Sequence, residues 1–419
     1  MKSTRIYLAI LAFLIAITTG FIYVRHKAHE SERREAAADT LQLRTKEREE
    51  PDALTKDRRH REATDQEALK WYERLLEKYP ELRPVYRDVP DDQNGYLQFI
   101  LFAESFGPDG MLPKELKLMF EESTPWDPAK VEAWIAENPS HFERLLHIAE
   151  LTDRSNKGIS FSKLHGPTTR HAGDFTRILQ ASARLNFESD PEKALRHLKA
   201  SVSLSDHFTD IEAPNMLGEV IATGARRKAQ ELFLQHFLPH LDPAALAPWN
   251  DALFRKEEPA SEYSRVIKGE WNYIMRDHAL SELLRKQPSD GDIHIPDLNG
   301  FVDAYARVIL QSANGAAALG PDRFDVASAQ FQAIPSDLDP ETANALRGAY
   351  RSMTGIIDAL GRTLTKSTME QATIALLIGN QMPLDPVSGK PFHWDPDTRT
   401  LTAPEVREGL EPIDPIKVP

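Results

Sequence analysis

The chain has 419 residues, no cysteine and a formal net charge of -13, with apolar and charged fractions ordinary for a globular protein. The missing cysteine excludes disulfides, thiolate catalysis, Cys-ligated zinc and a lipid-modified N-terminal cysteine. The first 69 residues carry 13 basic and 12 acidic side chains against 38 and 52 in the rest, and an acidic body lacks the basic footprint that holds nucleic acid.

Lys2 and Arg5 precede an uncharged run over residues 6–24, closed by Arg25-His26-Lys27. A helix of that length just crosses a hydrocarbon core of ~30 Å. A cleaved signal peptide is the rival reading, but its apolar region is usually shorter and ends in a small-x-small site. Ala16-Ile17-Thr18 matches such a site poorly, and apolar residues continue to Val24. Residues 1–27 are therefore expected to be a signal anchor and transmembrane helix. Short N-terminal tails usually stay inside, although Arg25, Lys27, Arg33 and Arg34 compete with the N-terminal charges. That places a single-pass protein in the inner membrane with its bulk extracytoplasmic. Residues 28–66 are dense in Glu, Arg, Lys and Asp and read as a charged stalk. Arg58-Arg59-His60-Arg61 within it is either a solvated face or a lipid-headgroup contact.

From residue 67 to about 380 the pattern is helical. Leu69, Trp71, Tyr72, Leu75, Leu76 and Tyr79 form an apolar face that Pro80 and Pro84 end. The turn Pro90-Asp91-Asp92-Gln93-Asn94-Gly95 opens a helix running to Phe106, and short helices follow Pro113, Asp127-Pro128 and Pro139. Residues 152–166 read as a loop. Phe175, Ile178, Leu179, Ala183 and Leu185 then recur at helical spacing. Asp190-Pro191 restarts the helix with proline where its missing N–H costs nothing, and Ala194, Leu195, Leu198 and Val202 follow. Met216, Leu217, Val220, Ile221, Ala225, Leu232 and Phe237 make a third stripe. Three amphipathic helices joined by short polar loops bury their stripes against one another. Asp242-Pro243 opens a further helix, and residues 261–285, 301–319, 340–360 and 367–378 are also read as helices. The last starts on Ser367-Thr368-Met369-Glu370, a capping-box pattern. Residues 381–419 change character. Eight prolines between Pro383 and Pro419 forbid a helix, and 391–402 reads as two short strands around a turn. The expected fold is mainly α: a multi-helix antiparallel bundle or solenoid-like body, an N-terminal transmembrane helix, and a small Pro-rich β-hairpin tail.

Asp385-Pro386-Val387-Ser388-Gly389-Lys390-Pro391 resembles the Asp-Pro-x-Ser/Thr-Gly-Lys-Pro closing motif of a large group of uncharacterised bacterial proteins. Pro90-Asp91-Asp92-Gln93-Asn94 is similar to their early Pro-acid-acid-x-Asn segment, and Gly269-Glu270 to a later Gly-Glu. The Tyr-Ser-x-Gly ending of many members, and the His-Gly-x-x-Pro-like loop before the tail, are missing here. The resemblance implies N-terminal anchoring and a mainly helical architecture. The same tail motif distantly resembles a stretch of type II secretion pseudopilins, whose bodies are far shorter than this helical middle.

The chemical candidates are few. His236 and His240 stand four apart, a spacing that sets two imidazoles on one metal, but Pro239 lies between them and no third ligand is evident. Asp290-Gly291-Asp292-Ile293-His294 and Asp297-Leu298-Asn299-Gly300 put carboxylates in loops without the twelve-residue calcium pattern, and such residues favour turns for backbone reasons. Gly389-Lys390 lacks the upstream glycine and following helix of a phosphate loop and reads as a tight turn. Glu270 beside Trp271 is the most tempting general acid or base, being a carboxylate open to a pKa rise by burial. It has no partner acid in sequence. The hairpin at 181–204 resembles one tetratricopeptide unit, without the three or more repeats a solenoid needs. No catalytic, cofactor-binding or metal residue is assigned. The expected function is a membrane-anchored extracytoplasmic helical scaffold or protein-interaction module of the cell envelope. It would meet the membrane through residues 6–24, engage a protein partner and bind no nucleic acid. A hydrolase using Glu270 and a tetratricopeptide-like peptide binder are the alternatives.

Overall fold

The computed structural model describes residues 69–106, 110–121, 123–159, 167–254, 259–284, 298–318, 338–404 and 413–418, some of them by backbone alone. All fall in the compact unit Ala68–Pro419. The anchor expected at 6–24, the stalk at 28–66 and the acidic loops at 290–297 lie outside the described residues. Among the described residues no helix is long and apolar enough to cross a membrane.

The protein is mainly α-helical. Helix α1 covers residues 69–78 and passes into a 3-10 turn, Pro80–Leu82. Helices α2 (Gly95–Glu104), α3 (Lys114–Phe120), α4 (Pro128–Glu137), α5 (Pro139–Glu150), α6 (Pro167–Asn186), α7 (Pro191–Asp206) and α8 (Met216–Leu232) follow. The second half holds α9 (Leu246–Leu253), α10 (Pro259–Leu284), α11 (Leu298–Ala318) and α12 (Pro340–Leu377).

Local chemistry explains the helix starts. A short side chain at the N-cap accepts an N–H the first turn would otherwise leave bare. Asn94 takes Leu97 N at 3.3 Å, Asp190 takes Lys193 N at 3.0 Å, and Asn215 takes Gly218 N at 2.7 Å. Proline follows directly at Asp190 and at Asp339, the cap of α12.

The stripes predicted for α6 and α7 are buried except at Leu185 and Leu195, which are half-buried. Phe175, Ile178, Leu179, Ala183, Ala194 and Leu198 are all 0% exposed, and each large one contributes about 1.5–3 kcal/mol of apolar transfer. The two helices form an αα-hairpin that α8 packs across. One core gathers Phe99, Leu145, Ile148, Phe175 and Phe208 between α2, α5, α6 and α7. A second joins Phe187, Leu198, Phe233, Phe237 and Trp249 to Ile374 of α12. A third holds Tyr72, Trp271, Tyr305, Ile309 and Leu346.

Three expectations are corrected. On α8, Leu217 and Val220 are exposed, while Met216, Ala222, Ala229 and Phe233 are buried. The buried face runs through small residues there, so apolarity alone misplaced it. The helices read at 340–360 and 367–378 are one continuous helix. Nothing between 361 and 366 is a proline, and Thr365 is buried, so packing carries the helix across Gly361. Ser367 therefore caps nothing, and Glu370 sits in mid-helix. Finally, α8 ends in a π-turn, Phe233–Phe237, with Leu238 N bonded to Phe233 O, and then a 3-10 turn, Leu238–His240. Pro239 has no N–H, and its ring would crowd the carbonyl four residues back, so the helix widens before it.

The tail forms a three-stranded antiparallel sheet in the order β1 (His393–Asp395), β2 (Thr400–Thr402), β3 (Ile416–Lys417). Trp394 pairs with Leu401, and Leu401 with Ile416. The hairpin of β1 and β2 was legible in sequence; β3 was not. Phe392, Leu401 and Val418 pack on Met369 and Ala372 of α12.

Candidate functional site

The richest polar cluster among the described residues lies where four segments cross: 83–95, 153–157, 207–213 and the middle of α10. It starts at the Pro90–Asn94 turn. Asn94 Oδ1 accepts Ser155 N at 3.1 Å, its Nδ2 donates to Ser155 O at 2.8 Å, and Gly95 N donates to Asp153 O at 2.9 Å. One residue thus caps α2 and fixes the loop after α5. A Cβ on Gly95 would come within 2.4 Å of His207 Cε1, so only glycine lets α2 start against that imidazole.

His207 is 0% exposed. Arg154 Nε donates to its Nδ1 at 2.7 Å, and its Nε2 lies 2.9 Å from Ile148 O. An arginine is always a donor, so Nδ1 is the acceptor and Nε2–H donates to the carbonyl. Burial, reinforced by the Arg154 charge, pushes the imidazole down to about 3. Arg154 also meets Asp210 Oδ2 at 2.9 Å and Ser203 Oγ at 3.2 Å. Arg265 approaches Asp210 at 3.5 Å, and Arg87 binds Glu212 at 2.9 Å through both its Nε and its backbone N–H. Burial raises the Glu212 carboxyl, but the Arg87 bonds outweigh it and hold it below its ordinary value. With both ring nitrogens committed and no exposure, His207 acts as a neutral rivet.

Glu270 belongs to the edge of this junction. Its Oε2 accepts Met216 N, the first N–H of α8, at 2.8 Å. A carboxylate there complements the positive end of the helix dipole. A Cβ on Gly269 would fall 1.9 Å from Pro214 O. Gly269-Glu270 is thus a crossing point, where α10 touches the backbone of 213–214 and caps the next helix.

Other groups that could do chemistry are similarly engaged. Ser182 Oγ and His197 Nδ1 are 2.9 Å apart, 2% and 1% exposed, and burial first, then Arg196 and Lys193, pushes His197 down to about 4. Lys117 pairs with the buried Asp174 at 3.0 Å, beside His171, which stacks on Phe175. His236 and His240, expected on one helical turn, are divided by the π-to-3-10 change. His240 lies against Phe187 at 6.5 Å. Among the described residues no group of three His, Asp or Glu could hold a metal ion.

The tail motif proves to be a turn that docks. Asp385, 4% exposed, accepts Thr365 Oγ1 of α12 at 2.6 Å, Ser388 N at 2.9 Å and Val387 N at 3.3 Å, as well as Ser388 Oγ. Gly389 has φ of 68°, and Gly389 N closes on Asp385 O at 2.8 Å. Gly389-Lys390 is the tight turn its composition suggested.

Away from the junction, a shallow cleft of about 390 Å³ is lined by Met119, Ser123, Thr124, Pro125, Trp126 and Arg184. The Arg184 guanidinium stands 4.4 Å over the Trp126 ring, a cation–π arrangement. Sequence reading missed it because Trp126 and Arg184 are 58 positions apart, on different elements. No family model, no curated protein and no solved structure matches the chain.

Proposed function

We propose that the protein is a membrane-anchored, extracytoplasmic helical scaffold, an interaction module of the bacterial envelope. The anchor is the apolar run at residues 6–24 and the spacer is the charged stalk at 28–66. One observation carries the reading: the candidate groups of the junction and of the tail motif are spent on bracing. Glu270 caps α8, His207 rivets α7 to the loop after α5, and Asp385 docks the tail on α12. Such bracing suits a rigid platform whose work is done at its surface, and the Trp126–Arg184 cleft is the face to probe first. Tryptophan and arginine are among the side chains enriched at the energetic centres of protein interfaces.

The test is photo-crosslinking in intact cells from a reactive amino acid at Thr124 of the full-length protein, then affinity capture from detergent extracts. A stoichiometric envelope protein is the expected product. Recovery of the bare protein from both steps would overturn the scaffold and move weight to the hydrolase reading. Glu270→Gln is the control variant for that substrate screen.

A further inference from the structure

Glu370 lies on α12 at 2% exposure, and its Oε2 has no hydrogen-bond partner among the described residues. The helix that carries it is gripped on two sides. Thr365, Met369 and Ala372 hold the tail through Asp385, Phe392 and Leu401. On the α8 side, Gln230 Nε2 donates to Ser367 Oγ at 2.9 Å and to Leu253 O of α9 at 3.0 Å, while Ile374 enters the core of Phe233 and Phe237. Glu370 sits beneath this second grip.

The charged groups acting on it are Arg227 and Glu231 from α8 and Lys366 from α12. Among the described residues α9, α11 and the tail sheet add none. The cations are already shared. Glu231 takes Arg227 at 2.8 Å, Lys228 at 3.2 Å and Lys366 at 3.6 Å. A second carboxylate in that place has an oxygen without a donor, and an ionised carboxylate left so is costly to bury. Protonated, it is tolerated. Burial pushes the carboxyl up to about 7; Lys366 and Arg227 pull it back, and Glu231 adds to the rise.

We infer that Glu370 is a proton-operated latch: protonated, it keeps α12 closed on α8, and on losing its proton it lets the 364–377 stretch part from α8 with the tail it carries. Opening admits water to the carboxylate while the Asp385 dock, on the other face of α12, stays made. The lever is the acid–base state of the surroundings, and the moving part is the C-terminal end of the molecule.

The experiment is amide hydrogen exchange on the full-length protein in detergent, from about pH 5 to about pH 9 and corrected for base catalysis. The expected result is opening of 364–377 and 227–234 that grows by up to about tenfold per pH unit from about pH 5 to about pH 7 and levels off above, because a proton is released on opening only while the closed form still holds it. Glu370→Gln, neutral at every pH and nearly the same shape, should show a flat profile. The same slope in the variant, or no slope in the wild type, overturns the latch. Infrared titration of wild-type protein with labelled glutamate carboxyls tests it independently of the variant. A protonated Glu persisting to neutrality supports the latch, and complete ionisation by about pH 6 overturns it.

Discussion

His207 and Glu370 are equally hidden, at 0% and 2% exposure, yet their surroundings treat them in opposite ways. His207 has a donor on one nitrogen and an acceptor on the other. Glu370 has an oxygen with nothing to bind among the described residues. Their effects on stability therefore run in opposite directions with pH. The unfolded chain protonates a histidine near its ordinary value of 6.5, while the folded His207 resists to about 3. The unfolded state thus binds the extra proton, and stability falls as pH drops between those values. For Glu370 the folded state holds the proton, up to about 7 against an ordinary 4.5, so stability falls as pH rises between 4.5 and 7. A buried ionisable group is a rivet when all its polar atoms are matched and a switch when one is not.

The largest expected effect is on the rivet side. Gly269→Ala would force a methyl against Pro214 O at 1.9 Å, a backbone contact that no side-chain rotation relieves. A loss of about 3 kcal/mol or more is expected in thermal or denaturant unfolding, since overpacking against backbone sits at the costly end of its range. A variant with unchanged stability would show that α10 and the 213–214 segment are not in contact. Arg154→Met comes next. It strips His207 Nδ1 of its donor and removes the pair with Asp210, for about 2–3 kcal/mol. It should also ease protonation of His207, since the Arg154 charge helps hold the imidazole down, and so shrink the acid-side loss of stability. An acid limb identical to wild type would separate His207 from the junction.

Glu370→Gln sharpens the comparison from the other side, because it should stabilise. Subtracting wild-type stability from that of the variant should give a curve flat below about pH 4.5, rising to about pH 7 and level beyond. Its total rise should be up to about 3 kcal/mol, the linkage value of the shift. A variant less stable than wild type at alkaline pH would mean that the carboxylate has a partner in the folded state.

Much of the helical half of this comparison was legible in the sequence. The 3.6-residue spacing of Phe175, Ile178 and Leu179 and the Asp190-Pro191 restart are local signals, and local signals survive folding. Other parts depend on distance. Nothing near Glu270 announces that Met216 N needs an acceptor 54 positions away. Nothing near Trp126 announces Arg184. Glu370 shows how a local pattern misleads: Ser367-Thr368-Met369-Glu370 has the spelling of a capping box, but a helix already running from Pro340 makes the same residues mid-helix. In that setting the glutamate cannot cap and is turned into the interface. The exposed Leu217 and Val220 teach the same lesson in reverse, because which face of α8 is inside depends on where α6 and α7 lie.

Asp385 supplies a third buried ionisable group and the smallest of the expected effects. It is 4% exposed, yet four donors reach it: Thr365 Oγ1, Val387 N, Ser388 N and Ser388 Oγ. By the same logic as His207 it is matched, and loss of one donor leaves three. Thr365→Val keeps the side-chain volume and removes a single bond, so about 1 kcal/mol is expected. The loss should be local, because that bond joins α12 to the tail and to nothing else. Amide exchange in 384–402 should quicken while the α6–α7 hairpin is unchanged, and the pH profile at 364–377 should keep its wild-type slope. A change in that slope would mean that the tail dock and the Glu370 latch are one device rather than two faces of one helix.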